Sequence, residues 1–326
     1  MKITMAHGSG GKSSAELMKA VFGKHFKNEI LDKMEDAAVL EVSGRIAFST
    51  DSFVVTPVVF RGGNIGKLAV CGTVNDLLMM GAEPLYLTSA YILEEGLESD
   101  LLETCVSSMA ETAAEAGVQI VAGDTKVVEG NGGLMINTTG IGLIPVGRDI
   151  SAANLKEGDA VIVSGYLGDH HACILSHRMN LENTIESDCA PLNDIVDRLF
   201  AEEIRVKAMR DITRGGLGTM LNELAAASRC GIEIDEEKIP VRDEVRGFCG
   251  ILGLDPLYMG NEGKMLAVVD ADDAEKALAA IKGAKHGRDA VLVGRVTAGG
   301  GVVMKTRLGG KRVVDSLYGE GLPRIC

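Results

Sequence analysis

The chain has 326 residues, enough for two domains with real cores, and 33 basic against 46 acidic side chains leave a formal charge of −13. That balance argues against a nucleic-acid binder, whose affinity would rest on neutralising phosphates, and it suits acidic clusters that hold a divalent cation. Aromatic residues make up 4 %, Trp is absent and Gly numbers 41, so small-residue packing and many tight turns are expected. The opening MKITMAHGSGG lacks the apolar core of a signal peptide, and no apolar run approaches a membrane span. Cys71, Cys105, Cys173, Cys189, Cys230, Cys249 and Cys326 are scattered singly. They read as reduced thiols in a cytoplasmic protein, most of them small core residues.

Residues 1–35 begin with HGSGGKSS and read as a mobile glycine-rich segment, with Ser13 or Ser14 able to cap a helix through Leu17, Met18 and Val21. GRIAFSTDS follows as a strand ending near Asp51, with Ile46 and Phe48 alternating towards one face. Ile65, Leu68, Ala69, Val74, Leu77 and Leu78 recur at helical spacing, and Gly81 and Pro84 end that helix. A second helix starts near Ser99, and VQIVAGDTK and LMINTTGIGLIP are strands. A polar, turn-rich boundary near Pro145–Asp159 separates a first domain, 36–148, from a second, 149–310. There AVIVSGYLGDHH reads strand, glycine loop, helix. PLNDIVDRLF, LGTMLNELAAA and AEKALAAI are helical, and KMLAVVD, AVLVGRV and GVVMKT are strands. Alternating strands and helices in both halves indicate α/β or α+β layers. Residues 311–326 read as a tail able to reach at most about 50 Å when extended.

Several stretches carry chemistry. HGSGGKSS fails the Walker pattern, which requires Gly where Ala6 stands, yet its glycines could still wrap phosphates through backbone N–H groups. A loose terminus explains it equally well. Asp36, Asp51, Asp76 and Asp124 are carboxylates near strand ends or inside apolar runs, where a cation would offset the cost of burial. Singly, each also reads as a cap or turn residue. Lys126, two residues beyond Asp124, is placed to neutralise a phosphate. Asp211, Arg214 and a Gly-Gly pair precede a helix and suggest an anion site. Glu262, between turn residues, is a candidate general base or a solvated loop acid. His170, Cys173 and His177 would share a helix face; zinc would need a fourth ligand, and a helix start with partly exposed histidines competes. Cys326 is the last residue, with Arg324 favouring its thiolate and the α-carboxylate opposing it.

Taken together, HGSGG, STDSFVVTP, GGNIGKLAVCGTVNDL, GAEPLYL, ILEEGL, GDTKVVEG, INTTGIG, SGYLGDH, RDITRGGLG, NEGK and the terminal PRIC resemble the hydrogenase-maturation HypE branch of the aminoimidazole-ribonucleotide synthetase-like (PurM-like) superfamily. The resemblance runs through nearly the whole chain, and PRIC singles out the branch. It implies an N-terminal α/β domain whose mixed sheet pairs in a homodimer, a C-terminal α+β domain and a flexible tail. ATP would lie between the domains, its phosphates near Gly8, Gly10 and Gly11 and near Asp211 and Arg214, with Mg²⁺ on Asp36, Asp51, Asp76 and Asp124. Cys326 would receive a carbamoyl group from the carbamoyltransferase HypF. ATP-dependent dehydration, with Glu262 and Lys126 serving the chemistry, would make a thiocyanate whose cyano group passes to a HypC–HypD complex for nickel–iron hydrogenase. Met34-Glu35-Asp36 replaces the superfamily's Gly-Asp-Asp, which keeps Asp36 and leaves the role of Glu35 open. Competing readings are another PurM-like kinase or synthetase, and an ATP-binding scaffold or metal-delivery protein. No membrane or nucleic-acid partner is expected.

Overall fold

The computed structural model describes residues 2–8, 13, 16–33 and 37–316. The expected roles of Gly10, Gly11, Glu35, Asp36 and Cys326 lie outside the described residues.

The first half is built on a four-stranded sheet of order β1-β6-β4-β5: β1 Arg45–Phe53, β4 Glu83–Glu94, β5 Gln119–Val128 and β6 Leu134–Ile144. The β1–β6 and β4–β6 pairs are antiparallel, and β4–β5 is parallel, joined by the crossover helix α2, Ser99–Glu115. The intervening β2 Val59–Phe60 and β3 Gly63–Asn64 form a small hairpin. Helix α1, Ile65–Met79, follows it. Asn64 caps α1 by accepting from the backbone N–H groups of Gly66 (2.9 Å) and Lys67 (3.1 Å). Nearly every α1 residue is buried, as expected of a helix wrapped by protein on all sides. Close packing here depends on glycine. A Cβ on Gly66 would fall 1.9 Å from the Cys105 carbonyl oxygen of α2, and one on Gly72 would fall 2.7 Å from the Phe53 ring of β1.

The second half is a seven-stranded sheet of order β13-β12-β9-β11-β7-β10-β8. Its strands are β7 Ala160–Val163, β8 Val206–Asp211, β9 Gly231–Asp235, β10 Met265–Val269, β11 Val291–Thr297, β12 Gly301–Lys305 and β13 Lys311–Val313. Helices α3 Asp169–Arg178, α4 Asn193–Ala201, α5 Gly216–Ser228, α6 Asp243–Leu252 and α7 Ala274–Lys282 surround it. Strand β10 is buried along its whole length, matching its unbroken apolar run. The halves are stitched together through α1. Asn75 Nδ2 donates to the Ala190 and Glu262 carbonyls (3.1 and 3.4 Å), and Asn75 Oδ1 accepts from Leu192 N–H (3.0 Å). Every polar atom of this buried amide is thereby satisfied.

The sequence reading needs correction at three places. Residues expected in a mobile N-terminal segment are anchored. Ile3 N–H donates to the Leu97 carbonyl and Gly96 N–H to the Ile3 carbonyl, and Leu17, Val21, Phe22 and Phe26 join the core. The tail does not begin at Lys311: β13 pairs with β12, and Val314 is buried and donates its N–H to the Val302 carbonyl. The helix ends before Gly81 as expected, but the sequence reading places no strand after it, whereas β4, one of the two central strands of the first sheet, starts at Glu83, with a register shift between Pro84 and Tyr86. Proline lacks an N–H but is tolerated where the ladder is irregular.

Candidate active site

Three elements bring acidic side chains to the boundary between the two halves. Strand β1 contributes Asp51 and α1 contributes Asp76, whose Oδ2 accepts a 2.6 Å hydrogen bond from Ser49 Oγ. Asp211 ends β8, opposite Met265 in β10. Burial, then the nearby Asp76 carboxyl, pushes Asp51 up to about 6, while Arg214 opposes the shift. Asp211 is pushed up to about 7 by burial first and by Asp76 next. Carboxyls this close cannot all ionise cheaply unless a cation joins them.

Arg214 lies in the turn before α5, where Gly215 (φ 83°) and Gly216 (φ 61°) take left-handed backbone. A Cβ on Gly216 would meet the Tyr258 backbone at 2.5 Å, so only glycine brings the α5 N-terminus this close. The exposed Arg214 acts electrostatically on Asp51, and no side chain caps the α5 N-terminus beside it, a combination that suits an anion held by a cation.

Glu262 is 4 % exposed, in the segment leading to β10. Burial, then Cys189, Asp211, Asp188 and Asp51 in decreasing order, hold its carboxyl well above the ordinary range. Its backbone is clamped: N–H donates to Asp188 Oδ1 (3.1 Å), and the carbonyl accepts from Ala190 N–H (3.4 Å) and Asn75 Nδ2.

Asp124 and Lys126 stand apart. They lie on β5, with Nζ 2.9 Å from Asp124 Oδ2, and both are well exposed. The hydrogen bond from Lys126 is the largest influence on the Asp124 carboxyl and holds it below its usual value. Strands β1 and β5 are opposite edges of the sheet, about 14 Å apart at ordinary strand spacing. One chain therefore does not bring Asp124 to Asp51 and Asp76. Among the described residues, no three His, Cys, Asp or Glu side chains gather closely enough to hold a metal ion. The Asp51–Asp76 pair supplies the hard oxygen donors a Mg²⁺ ion prefers, so the residues fit such an ion but leave its shell open to further ligands.

The helix-face zinc reading finds no support. His170 Nδ1 meets Ser187 Oγ at 2.7 Å, Cys173 Sγ donates to the Arg61 carbonyl, and His177 lies on the exposed end of α3. Gly8 closes a 3₁₀ turn, Met5–Gly8. Cys71, Cys105, Cys173, Cys189 and Cys249 are free and buried, as expected of small core residues.

Sequence reasoning missed Asp188 and Lys264. Their side chains are 3 % and 12 % exposed, with Lys264 Nζ 3.6 Å from Asp188 Oδ2. The Asp-Cys pair in SDCAPL and the lysine in NEGK were the available signals. Both residues line a polar cavity of about 500 Å³, with Asp169, Arg242 and Lys67.

Residues 34–144 match the N-terminal domain of AIR synthase related proteins, and residues 156–307 match the C-terminal domain. The carbamoyl dehydratase HypE of Rhodobacter capsulatus is 49 % identical over 335 residues, covering 100 % of this chain and 98 % of that protein. A crystal structure of the hydrogenase maturation protein HypE in complex with ATP superposes with a TM-score of 0.95 at 46 % identity, covering 99 % of each chain. HypE in a HypE–HypF complex superposes with a TM-score of 0.81 at 47 % identity, over 92 % of this chain and 99 % of that one.

Proposed function

Because this chain belongs to the AIR synthase related family, within its carbamoyl dehydratase HypE branch, we propose that the cleft between its halves is where ATP drives loss of water from a carbamoyl group carried on Cys326. The activity is that of a carbamoyl dehydratase in hydrogenase maturation. What supports the location is one observation: Asp51, Asp76, Asp211 and Arg214 converge beside a fully buried Glu262.

The residues divide the work. An amide oxygen leaves poorly, so it must first accept the γ-phosphoryl group, a transfer governed by positioning and charge neutralisation. The α5 N-terminus and Arg214 bind and orient phosphate. Asp51 and Asp76 would hold Mg²⁺, which screens the phosphate charge. The first N–H proton leaves nitrogen as phosphorylation gives the imidate and ends on the released phosphate. As the C–O bond to phosphate then breaks, the remaining N–H electron pair completes the C≡N bond, and Glu262 takes that proton. Its enclosure excludes the water that would hydrolyse the activated group.

Lys126 and Asp124 enter through a second copy. Strands β1 and β5 are open edges of their sheet, and Ile46, Phe48, Ile92 and Val128 are exposed on or beside them. Twofold pairing of these edges would cover this apolar surface and set Asp124 and Lys126 of one copy beside Asp51 of the other. A relative's HypE–HypF complex supports HypF as a partner, and the carbamoyl-donor role is the part assigned to it in this reading. A HypC–HypD complex as cyano acceptor, and a cytoplasmic setting, complete the reading. No helix among the described residues is long and apolar enough to cross a membrane.

The test is mass spectrometry of the chain after incubation with the carbamoyltransferase, its carbamoyl donor and Mg·ATP. Carbamoylation and then loss of one water should both map to Cys326, and Cys326→Ala should abolish both while ATP binding persists. Modification mapping to an internal cysteine would overturn the carrier assignment.

A further inference from the structure

The two walls of the cleft belong to different halves of the chain, with Asp76 on one and Glu262 on the other. A buried amide spans them. Asn75 is 2 % exposed and precedes Asp76 on α1. Successive helical residues point about 100° apart, so Asp76 meets Ser49 on β1 while Asn75 reaches the second half. There Asn75 Nδ2 donates to the carbonyls of Ala190 (3.1 Å) and Glu262 (3.4 Å), and Oδ1 accepts from Leu192 N–H (3.0 Å). The segments it grips are already fastened to each other. Residues 188–190 lie so close to residues 262–263 that a Cβ on Gly263 would sit 1.9 Å from the Asp188 carbonyl oxygen. Glu262 N–H also donates to Asp188 Oδ1, and the Glu262 carbonyl accepts from Ala190 N–H. Asn75 therefore holds one packed unit that includes the main chain of Glu262. Apolar contacts would fill this part of α1 at less desolvation cost, but they permit sliding, whereas three directional hydrogen bonds fix a position.

We propose that Asn75 is a positioning residue for the dehydration: it fixes the Glu262 main chain relative to Asp76, its neighbour on α1, and so keeps the two walls in register. The inference rests on the proposed function, with Glu262 as the base. A base acts only within hydrogen-bond reach of the proton it takes, and the carbamoyl oxygen is engaged by phosphate held at the opposite wall. A small slip of one half against the other would carry Glu262 out of that reach without disturbing Asp51, Asp76 or their contacts within the first half. Asn75 touches no reacting group and acts through Glu262 alone.

The experiment uses the full-length carbamoylated chain, measuring thiocyanate formation in a single turnover with Mg·ATP and Mg·ATP affinity by calorimetry. Asn75→Ala should slow the turnover at least about tenfold, within the ~10² that a misplacement of about 1 Å can cost, and leave Mg·ATP affinity within about twofold of the parent. Glu262→Gln should slow it at least about a hundredfold, the lower range for a general base. A double-mutant cycle gives the readout that a merely structural role would not move. Because Asn75 acts through Glu262, adding Asn75→Ala to Glu262→Gln should cost no more than about threefold further. If Asn75→Ala fails to fold because three buried backbone groups lose their partner, Asn75→Ser, whose hydroxyl keeps one of them and whose freed space admits a water, is read in the same way. A rate loss short of about tenfold, an affinity loss as large as the rate loss, or a further loss above about threefold in the double variant overturns the positioning role. A normal rate in Glu262→Gln instead overturns the assignment of the base, and the two failures are thereby distinguished.

Discussion

The acidic cluster around Asp51 and the Asp124–Lys126 pair use the same carboxylate chemistry to opposite ends. Asp51 is partly buried beside another carboxyl and clings to its proton up to about 6. Asp124 is exposed beside an ammonium and gives its proton up more readily than usual. The difference lies in desolvation and in the sign of the neighbour. A cation is therefore worth most at the first site, where it relieves repulsion in a low-dielectric setting, and least at the second, which already has its countercharge.

Asp76→Asn should test this contrast most severely. It removes an oxygen anion and relieves the repulsion on Asp51. Mg·ATP affinity should fall about a hundredfold, at or above what an outer-sphere partner of a metal contributes, while the fold survives. Calorimetry at pH 7.5 on the variant checks it, and an affinity equal to the parent's would remove Asp76 from the metal site.

Lowering pH gives an intermediate effect. Asp51 has a raised folded-state value, so below about 6 it is protonated and must release a proton for Mg·ATP to bind. Affinity should drop about tenfold between pH 7 and pH 5 for that one proton, with proton release on binding. For the free protein the sign reverses. The unfolded chain ionises this group near 3.8 while the native chain holds the proton to about 6, so stability falls as pH rises through that window. Mg·ATP should cancel the loss, and thermal melts at pH 4.5, 6 and 7.5 with and without it would reveal a flat response if the cluster were an ordinary surface group.

The smallest effect belongs to the exposed pair. Asp124→Asn should weaken Mg·ATP less than about tenfold, because the carboxylate is solvent-screened and paired with Lys126. The effect should disappear in a monomeric background such as Phe48→Glu, which puts a charge on the exposed apolar edge. Light scattering establishes the oligomeric state. An undiminished Asp124→Asn effect in a proven monomer would break the claim that a second copy carries this residue to the cleft.

Periodicity alone located α1, α2, β5, β6 and most of the second half, because those elements bury one face or a continuous run and the pattern is written in adjacent residues. It stopped the first helix correctly at Gly81 but left β4 unassigned beyond Pro84, and it missed β8, β9 and α6, whose patterns are short or mixed. The motifs marked Asp51, Asp76, Asp211, Arg214 and Glu262 as chemistry-bearing without showing which of them meet. That grouping needed helix α1 packed through Gly66 and Gly72, which sets Asp76 against β1 and Asn75 against the second half. The separation of Asp124 from Asp51 was equally invisible, since strand order is fixed by long-range pairing and not by neighbours along the chain. The sequence pattern does not single out Asp188. Only the close run of residues 188–190 against residues 262–263 shows it to be buried and hydrogen-bonded to the Glu262 N–H, because burial and contact are properties of what the fold brings within a few ångströms.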